Sequence, residues 1–435
     1  MLLGSYLNWN IISIIVNYSA GHYHIMRKCI LYGALFLTAC GQRTQQQEQT
    51  QQTEKKETIT RPDNFGADVA FLKEYVETVV LTDSTSKAAI AIVPAWQGRV
   101  MTSTAAGNDG RSLGWLNHDL IAAEKTQPHI NAYGGEDRFW LGPEGSQNSF
   151  YFAPGDTFDL THWQVPAALD TEPFKLISKT KGAVMFERDM QLTNYKGHVF
   201  DIKATRTITL IARRDVRNYI GVDLHKNVQA VAFHSANSIS NTGKHKWDTA
   251  YGMPSIWILG MFIAGEKNTV MIPLRDGGTV NDHYFGKVPE ERLQTKEKIV
   301  YFKADGKHRS KIGLKQHAGY NYLGSYDAAH KLLTIVQFTL PTTTQRYVNS
   351  SWGIQSFPFN GDAINAYNDG PPAEGQPQLG NFYELESSSP AAALKPGGSM
   401  EHYHRTIHLS GDDKHLDPIV KKVFGVTLAE IKKAL

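Results

Sequence analysis

Cysteine is nearly missing from this 435-residue chain: there are two, Cys29 and Cys40, both within the first 40 residues. The remainder has no thiol, which excludes an internal disulfide and a thiolate metal centre there. A charge excess is missing too. Lys and Arg number 45 against 42 Asp and Glu, a formal net charge of +3. No basic stripe runs through the globular part, so no nucleic-acid partner is expected. The apolar stretch 29–37 falls short of the ~20 residues of a membrane-spanning helix. Several catalytic signatures are absent: no Gly-x-Ser-x-Gly elbow, no His-Glu-x-x-His zinc helix, no phosphate loop and no dinucleotide fingerprint. Helix-period stretches are also few, and with 37 glycines and 18 prolines that scarcity favours strands joined by turns.

What is present begins with the order of segments at the N-terminus. Arg27 and Lys28 make a positive region, 29–37 an apolar one, and Leu37-Thr38-Ala39-Cys40 matches the lipobox of bacterial lipoproteins. The match implies lipidation at Cys40 and an anchor in the cell envelope, at the outer membrane facing the periplasm. Met26 is the better-proportioned start of such a signal, so 1–25 reads as an over-called start and 1–40 as the signal segment. Residues 41–62 (GQRTQQQEQTQQTEKKETITRP) are polar and aperiodic; they cannot bury enough apolar surface to offset their ordering entropy and read as a tether. That leaves 63–435 as one large domain.

Within it, a helix is expected at 65–78, where Phe71, Leu72, Tyr75 and Val76 share a face, and an amphipathic helix at about 417–434. Strand-like runs fill the interval: 88–93, 98–103, 199–211, 218–224, 228–233, 255–263, 269–272, 299–302, 311–314, 332–338, 382–385 and 400–409. The run 199–211 alternates apolar and polar residues, except that Arg206 falls on the apolar face. Many strands, few helices and no internal repeat predict a mainly β fold, sheet packed on sheet.

Three segments carry chemistry. In 131–150 (NAYGGEDRFWLGPEGSQNSF), Glu136, Asp137, Arg138 and Trp140 follow two glycines. Charged groups bind hydroxyls in bidentate fashion and a ring stacks on a pyranose, so the four are candidate substrate-binding residues; a Gly-rich turn with a structural ion pair is the competing reading. In 359–370 (FNGDAINAYNDG), Asp362, Asn365, Asn368 and Asp369 could hold calcium through oxygen or bind substrate; Asn and Asp are equally common turn formers. The third comprises 382–389 and 400–409. Side chains alternate along a strand, so Glu384 and Glu386 share a face, as do His402, His404 and His408. If the two segments pair as neighbours, carboxylates and imidazoles meet on one polar face. That is an acid/base set or, with zinc, a metal site; otherwise it is a solvated outer face. No cofactor is required, and calcium or zinc is the divalent cation these groups would suit.

GGEDRFWLGPEG, FNGDAINAYNDGPP and NFYELESSSPAAALKPGGSMEHYHRTIHL resemble an uncharacterised family of Bacteroidetes-type lipoproteins related to the galactose mutarotase (aldose 1-epimerase) superfamily, over about 65–435. The resemblance implies a β-supersandwich with a short C-terminal helix and a carbohydrate site on a sheet face. In mutarotases a late-strand glutamate is the general base and a histidine the general acid. The resemblance points to Glu384 or Glu386 for the first and leaves His402 or His404 for the second, with Arg138 as the early arginine. The family's His-Gly-Gly is here Tyr133-Gly134-Gly135, so plain mutarotase activity is not implied. Three functions follow as expectations: acid/base chemistry on a sugar, non-catalytic glycan binding or sensing, and a structural or assembly role in the envelope.

Overall fold

The alternation over 199–211 becomes the 13-residue strand Val199–Ile211 in a computed structural model that describes residues 63–435. Its apolar residues, Phe200, Ile202, Ala204, Ile208 and Leu210, are buried. The signal segment, Cys40 and the tether 41–62 lie outside the described residues.

This strand belongs to a ten-stranded sheet, in the order Leu293–Lys296, Ile299–Lys303, Asn268–Pro273, Tyr322–Asp327, Leu332–Phe338, Ser399–Ser410, Gln229–Asn241, Val199–Ile211, Ala183–Thr193 and Lys175–Lys179. A second sheet has five strands, Ser310–Leu314, Ile364–Asn368, Phe382–Ser388, Ser255–Ile263 and Arg138–Gly142. Neighbours in both are antiparallel. Three further strands, Val79–Thr82, Ala89–Val93 and Arg99–Thr104, form a small sheet of their own. The protein is mainly β, as expected.

Apolar burial explains the layering. Val270, Leu323 and Val336 of the large sheet share a core cluster with Ile312, Ala366 and Leu385 of the five-stranded one. On the other face of the large sheet, Met271, Ile335, Ile407 and Leu409 meet Leu416, Ile419, Val420, Phe424, Leu428 and Ile431 of the C-terminal helices. Covering both faces at this end is why 332–338 reads as a nearly continuous apolar run. Phe65 and Leu72 of the helix Phe65–Tyr75 pack with Ala89, Ala91, Val93 and Met101 of the small sheet.

Four expectations are corrected. The C-terminal helix is two helices, Asp413–Phe424 and Leu428–Ile431, broken at Gly425, whose φ of 78° suits a residue without a Cβ. Residues 218–224 include the short helix Arg217–Ile220 rather than a strand. The Asn- and Asp-rich segment near 365 is not a turn: Ile364–Asn368 is a buried strand inside the sheet. The fourth concerns the late strands. Phe382–Ser388 lies in the five-stranded sheet and Ser399–Ser410 in the ten-stranded one, so the two segments expected to pair do not. The connection between them crosses from one layer to the other.

Candidate functional site

One face of the five-stranded sheet points away from the large sheet and carries most of the unusual side chains. Register places Arg138 beside Leu259, Leu259 beside Glu386, and Glu386 beside Asn365. The next row aligns Met261, Glu384, Tyr367 and Lys311. Trp140 lies beside Trp257 on the same face. Loops raise walls around this floor, contributing His129, Glu144, Trp163 and Trp352, and the cleft they enclose measures about 460 Å³, within the range of small-ligand sites. Leu160, Phe285 and Leu379 line it as well and are exposed, an apolar contribution to a cleft with a charged floor.

The floor is an ordered set of charges and rings. Arg138 donates from Nη2 to Glu384 Oε1 at 2.9 Å, and its guanidinium lies 4.1 Å from the Trp140 ring centroid. Lys311 Nζ donates to Glu386 Oε2 at 2.9 Å, as does Trp257 Nε1 at 2.9 Å. The Lys311 ammonium sits 4.7 Å from the Trp257 ring centroid. Trp140 and Trp257 meet edge to face at 5.5 Å, and Trp163 and Trp352 stack at 6.2 Å. Each carboxylate is thus held by a cation that an aromatic ring also holds, which fixes its orientation.

Burial pushes the Glu384 carboxyl up to about 8. Arg138 opposes that rise without overcoming it, and the Glu386 carboxyl, within hydrogen-bonding reach, adds to it. Glu386 Oε1 is buried and has no hydrogen-bond partner among the described residues. Glu384 therefore holds its proton more tightly than a free carboxyl does, beside the Glu386 carboxyl that Lys311 engages. Burial also raises Glu144, against the pull of Lys311 and of the bond from Trp352 Nε1, and it raises Asp369.

The sequence candidates separate into two groups. Arg138, Trp140, Glu384 and Asp369 line the cleft, and Glu386 lies in its floor. The others do not. Asn365 shares the floor face, but its amide is engaged by Tyr284 Oη and Ile312 O. Asn368 faces the opposite way and braces the 305–308 turn through Gly306 N, Asp305 and His308 O. Asp362 accepts from Asn281 and Tyr284.

Glu136, Asp137, His402, His404 and His408 all face the interior between the two sheets. Gly134 and Gly135 carry φ of 97° and 110°, and this turn leaves Glu136 facing Ser103 and His408 rather than the cleft. Asp137 pairs with Arg206, both with fully buried side chains, and accepts from Ser235 Oγ at 2.8 Å. That pair accounts for the arginine on the apolar face of 199–211. His402 and His404 both contact Ser387 Oγ at 2.8 Å. A hydroxyl has one hydrogen, so Ser387 donates to at most one of the two rings and at least one ring donates to it. Burial lowers each histidine to about 3. They have no proton to give in the ordinary pH range and do not reach the cleft, so the acid role expected of them fails on location and on protonation. Among the described residues no cluster of three or more His, Cys, Asp or Glu side chains is placed to hold a metal ion.

Sequence reasoning missed His129, Trp163, Trp257, Trp352, Arg309 and Lys311. Trp257 and Lys311 lie in segments read only as strands, where an apolar run such as 255–263 conceals which face meets a ligand. His129, Trp163 and Trp352 come from loops and carry no local signal. His129 holds φ 68°, unusual for a residue with a side chain. Its Nδ1 is 2.6 Å from Trp163 O; a carbonyl only accepts, so Nδ1 is the donor.

The fold and the cleft define a mainly β protein of two packed antiparallel sheets, with an aromatic, carboxylate-floored cleft on the smaller one. The chain belongs to a family of unknown function, DUF6786, whose model matches residues 63–435. No curated protein matches it. Solved structures with which it shares similarity include the Slr1438 protein of Synechocystis, at 14% identity and TM-score 0.47, covering 78% of this chain and 96% of that one. A putative aldose 1-epimerase of Escherichia coli K12 gives 11% identity and TM-score 0.47, with 77% and 100% covered. A galactose mutarotase-like protein of Lactobacillus casei gives 11% and 0.41, with 77% and 100% covered.

Proposed function

We propose that the protein binds a saccharide in this cleft and performs acid/base chemistry on it, with Glu384 as the proton donor and Glu386 as the acceptor. The observation that carries the reading is the neighbouring pair Glu384 and Glu386, held by Arg138 and Lys311 on a floor of tryptophans. Indole faces stack on the apolar faces of sugar rings, and a carboxyl that holds its proton to about pH 8 beside a second carboxyl offers the two halves of a proton transfer. The segments preceding residue 63 add the rest of the proposal: an exported chain, lipid-anchored through Cys40 in the cell envelope. Loss of a lipid mass increment in Cys40→Ser protein tests that part.

A second reading, saccharide binding without turnover, is favoured by the two ion pairs, which engage both carboxyl groups before any ligand arrives. The first test is thermal unfolding against a panel of mono- and oligosaccharides, followed by turnover assays by NMR on those that bind. A ligand at 100 times its Kd adds about 2.7 kcal/mol. A saccharide-specific shift with turnover supports the enzyme, a shift without turnover supports the binding protein, and no shift with any saccharide removes both.

The pH dependence has a definite sign. Glu384 donates only while protonated, and its carboxyl is raised to about 8. The rate is therefore expected to hold through neutrality and to fall as pH rises through about 8. A rate that climbs across that interval would exclude Glu384 as the acid.

A further inference from the structure

Arg309 differs from every other cation of the cleft. Arg138 and Lys311 are each spent on a glutamate. Arg309 immediately precedes the strand Ser310–Leu314 and falls on the same face as Lys311. Among the described residues its guanidinium makes no hydrogen bond and no ion pair. What holds it is a ring: its Cζ lies 3.9 Å from the centroid of Phe285. Stacking occupies one flat face of a guanidinium and leaves its edge, with all five N–H donors, free in the plane. The nearest acid in the register is Asp369, one step beyond the Ser310–Asn368 pairing. Asp369 is already satisfied, accepting from Tyr367 Oη at 2.6 Å and from Gly380 N at 2.8 Å. The backbone beneath Arg309 is fixed by Gly370: a Cβ there would lie 2.5 Å from Arg309 N. Arg309 also exerts a pull on the cleft carboxyls Glu144 and Asp369, yet bonds to neither among the described residues; a half-buried, stacked arginine with an open fork is matched to a planar or tetrahedral oxyanion.

We propose that the saccharide taken by this cleft is acidic, and that Arg309 binds its carboxylate or sulfate group through the guanidinium edge, with Phe285 as the platform beneath. This rests on the reading that the cleft binds a saccharide and adds the chemical class. A neutral sugar would leave the Arg309 donors to water; an acidic one would pair with the one cleft-lining Lys or Arg that makes no side-chain hydrogen bond or ion pair among the described residues.

The test is calorimetric titration of the full chain with matched sugars: glucose against glucuronate, galactose against galacturonate, and galactose against galactose 6-sulfate. In at least one pair the acidic member is expected to bind at least 10-fold more tightly, and the preference is expected to shrink as salt is raised. The uronates and the sulfate ester separate the two sources of negative charge. Arg309→Gln should abolish the preference while leaving the neutral sugar within about twofold. Arg309→Lys, which keeps the charge and loses the fork, should restore only part of it. Equal affinity for both members of every pair, or a preference that survives Arg309→Gln, overturns the inference and leaves saccharide binding intact. Binding of no sugar at all overturns both. Because the Arg309 guanidinium makes no hydrogen bond among the described residues, either variant should keep its unfolding midpoint, and the Lys variant supplies the comparison if the Gln variant does not.

Discussion

Glu384→Gln is expected to lower turnover by about 10²–10⁴-fold with substrate affinity within a few-fold of the parent. The substitution is nearly isosteric. The amide oxygen still accepts from Arg138, whose bond to Glu384 is 2.9 Å. The amide N–H still offers a donor toward the neighbouring Glu386 carboxyl, whose Oε1 has no hydrogen-bond partner among the described residues. What the amide lacks is a proton it can give up. A loss confined to kcat is therefore the signature of an acid. A rise in KM with kcat unchanged would instead mark Glu384 as a binding group, and unaltered kinetics would remove it from the mechanism.

The second large effect concerns stability. Asp137→Ala should destabilise the fold by about 3–5 kcal/mol, the usual result of removing one partner of a buried ion pair. Asp137 and Arg206 have side chains with no exposure. Burial raises the Asp137 carboxyl and lowers the Arg206 guanidinium, outweighing their mutual attraction in both cases. Deleting Asp137 leaves that guanidinium in the interlayer without its counter-charge. Replacing both residues together, Asp137→Ala with Arg206→Met, should recover much of the loss, since the double variant buries no charge. Denaturant unfolding of the three variants measures this. A single-variant loss below about 1 kcal/mol would mean that the pair does not behave as a buried one.

The two late segments show what could be read in advance. Alternation correctly placed Glu384 with Glu386 and His402 with His404, because it depends only on the two-residue repeat of a strand. It carries no information on which sheet a strand joins. Consecutive strands usually neighbour one another; here the connection between Phe382–Ser388 and Ser399–Ser410 changes layer, and the histidines go to the interior. The run 138–142 shows the converse. A segment read as sugar-binding or as a Gly-rich turn with an ion pair was not assigned to a strand, yet Arg138 and Trp140 sit on an edge strand, positioned by pairing with Ser255–Ile263. Arg206, an exception in the alternating pattern, was the legible trace of the interlayer pair, although its partner lies 69 residues away. The loop-borne Trp163, Trp352 and His129 were beyond reach, because long-range contacts set where they point.

The strand Phe382–Ser388 acts as two interleaved texts. Read at even positions it gives Phe382, Glu384 and Glu386, the vocabulary of the cleft. Read at odd positions it gives Tyr383, bonded to Ser325 across the layers at 2.7 Å, then Leu385 in the core, then Ser387 under the two histidines. Such a segment tolerates a change of spelling far better than a change of length. One residue gained or lost exchanges the faces, turning glutamates into the dry interior and serine out toward the ligand. Single substitutions at even positions change the surface of the cleft, while the phase of the strand stays locked from behind.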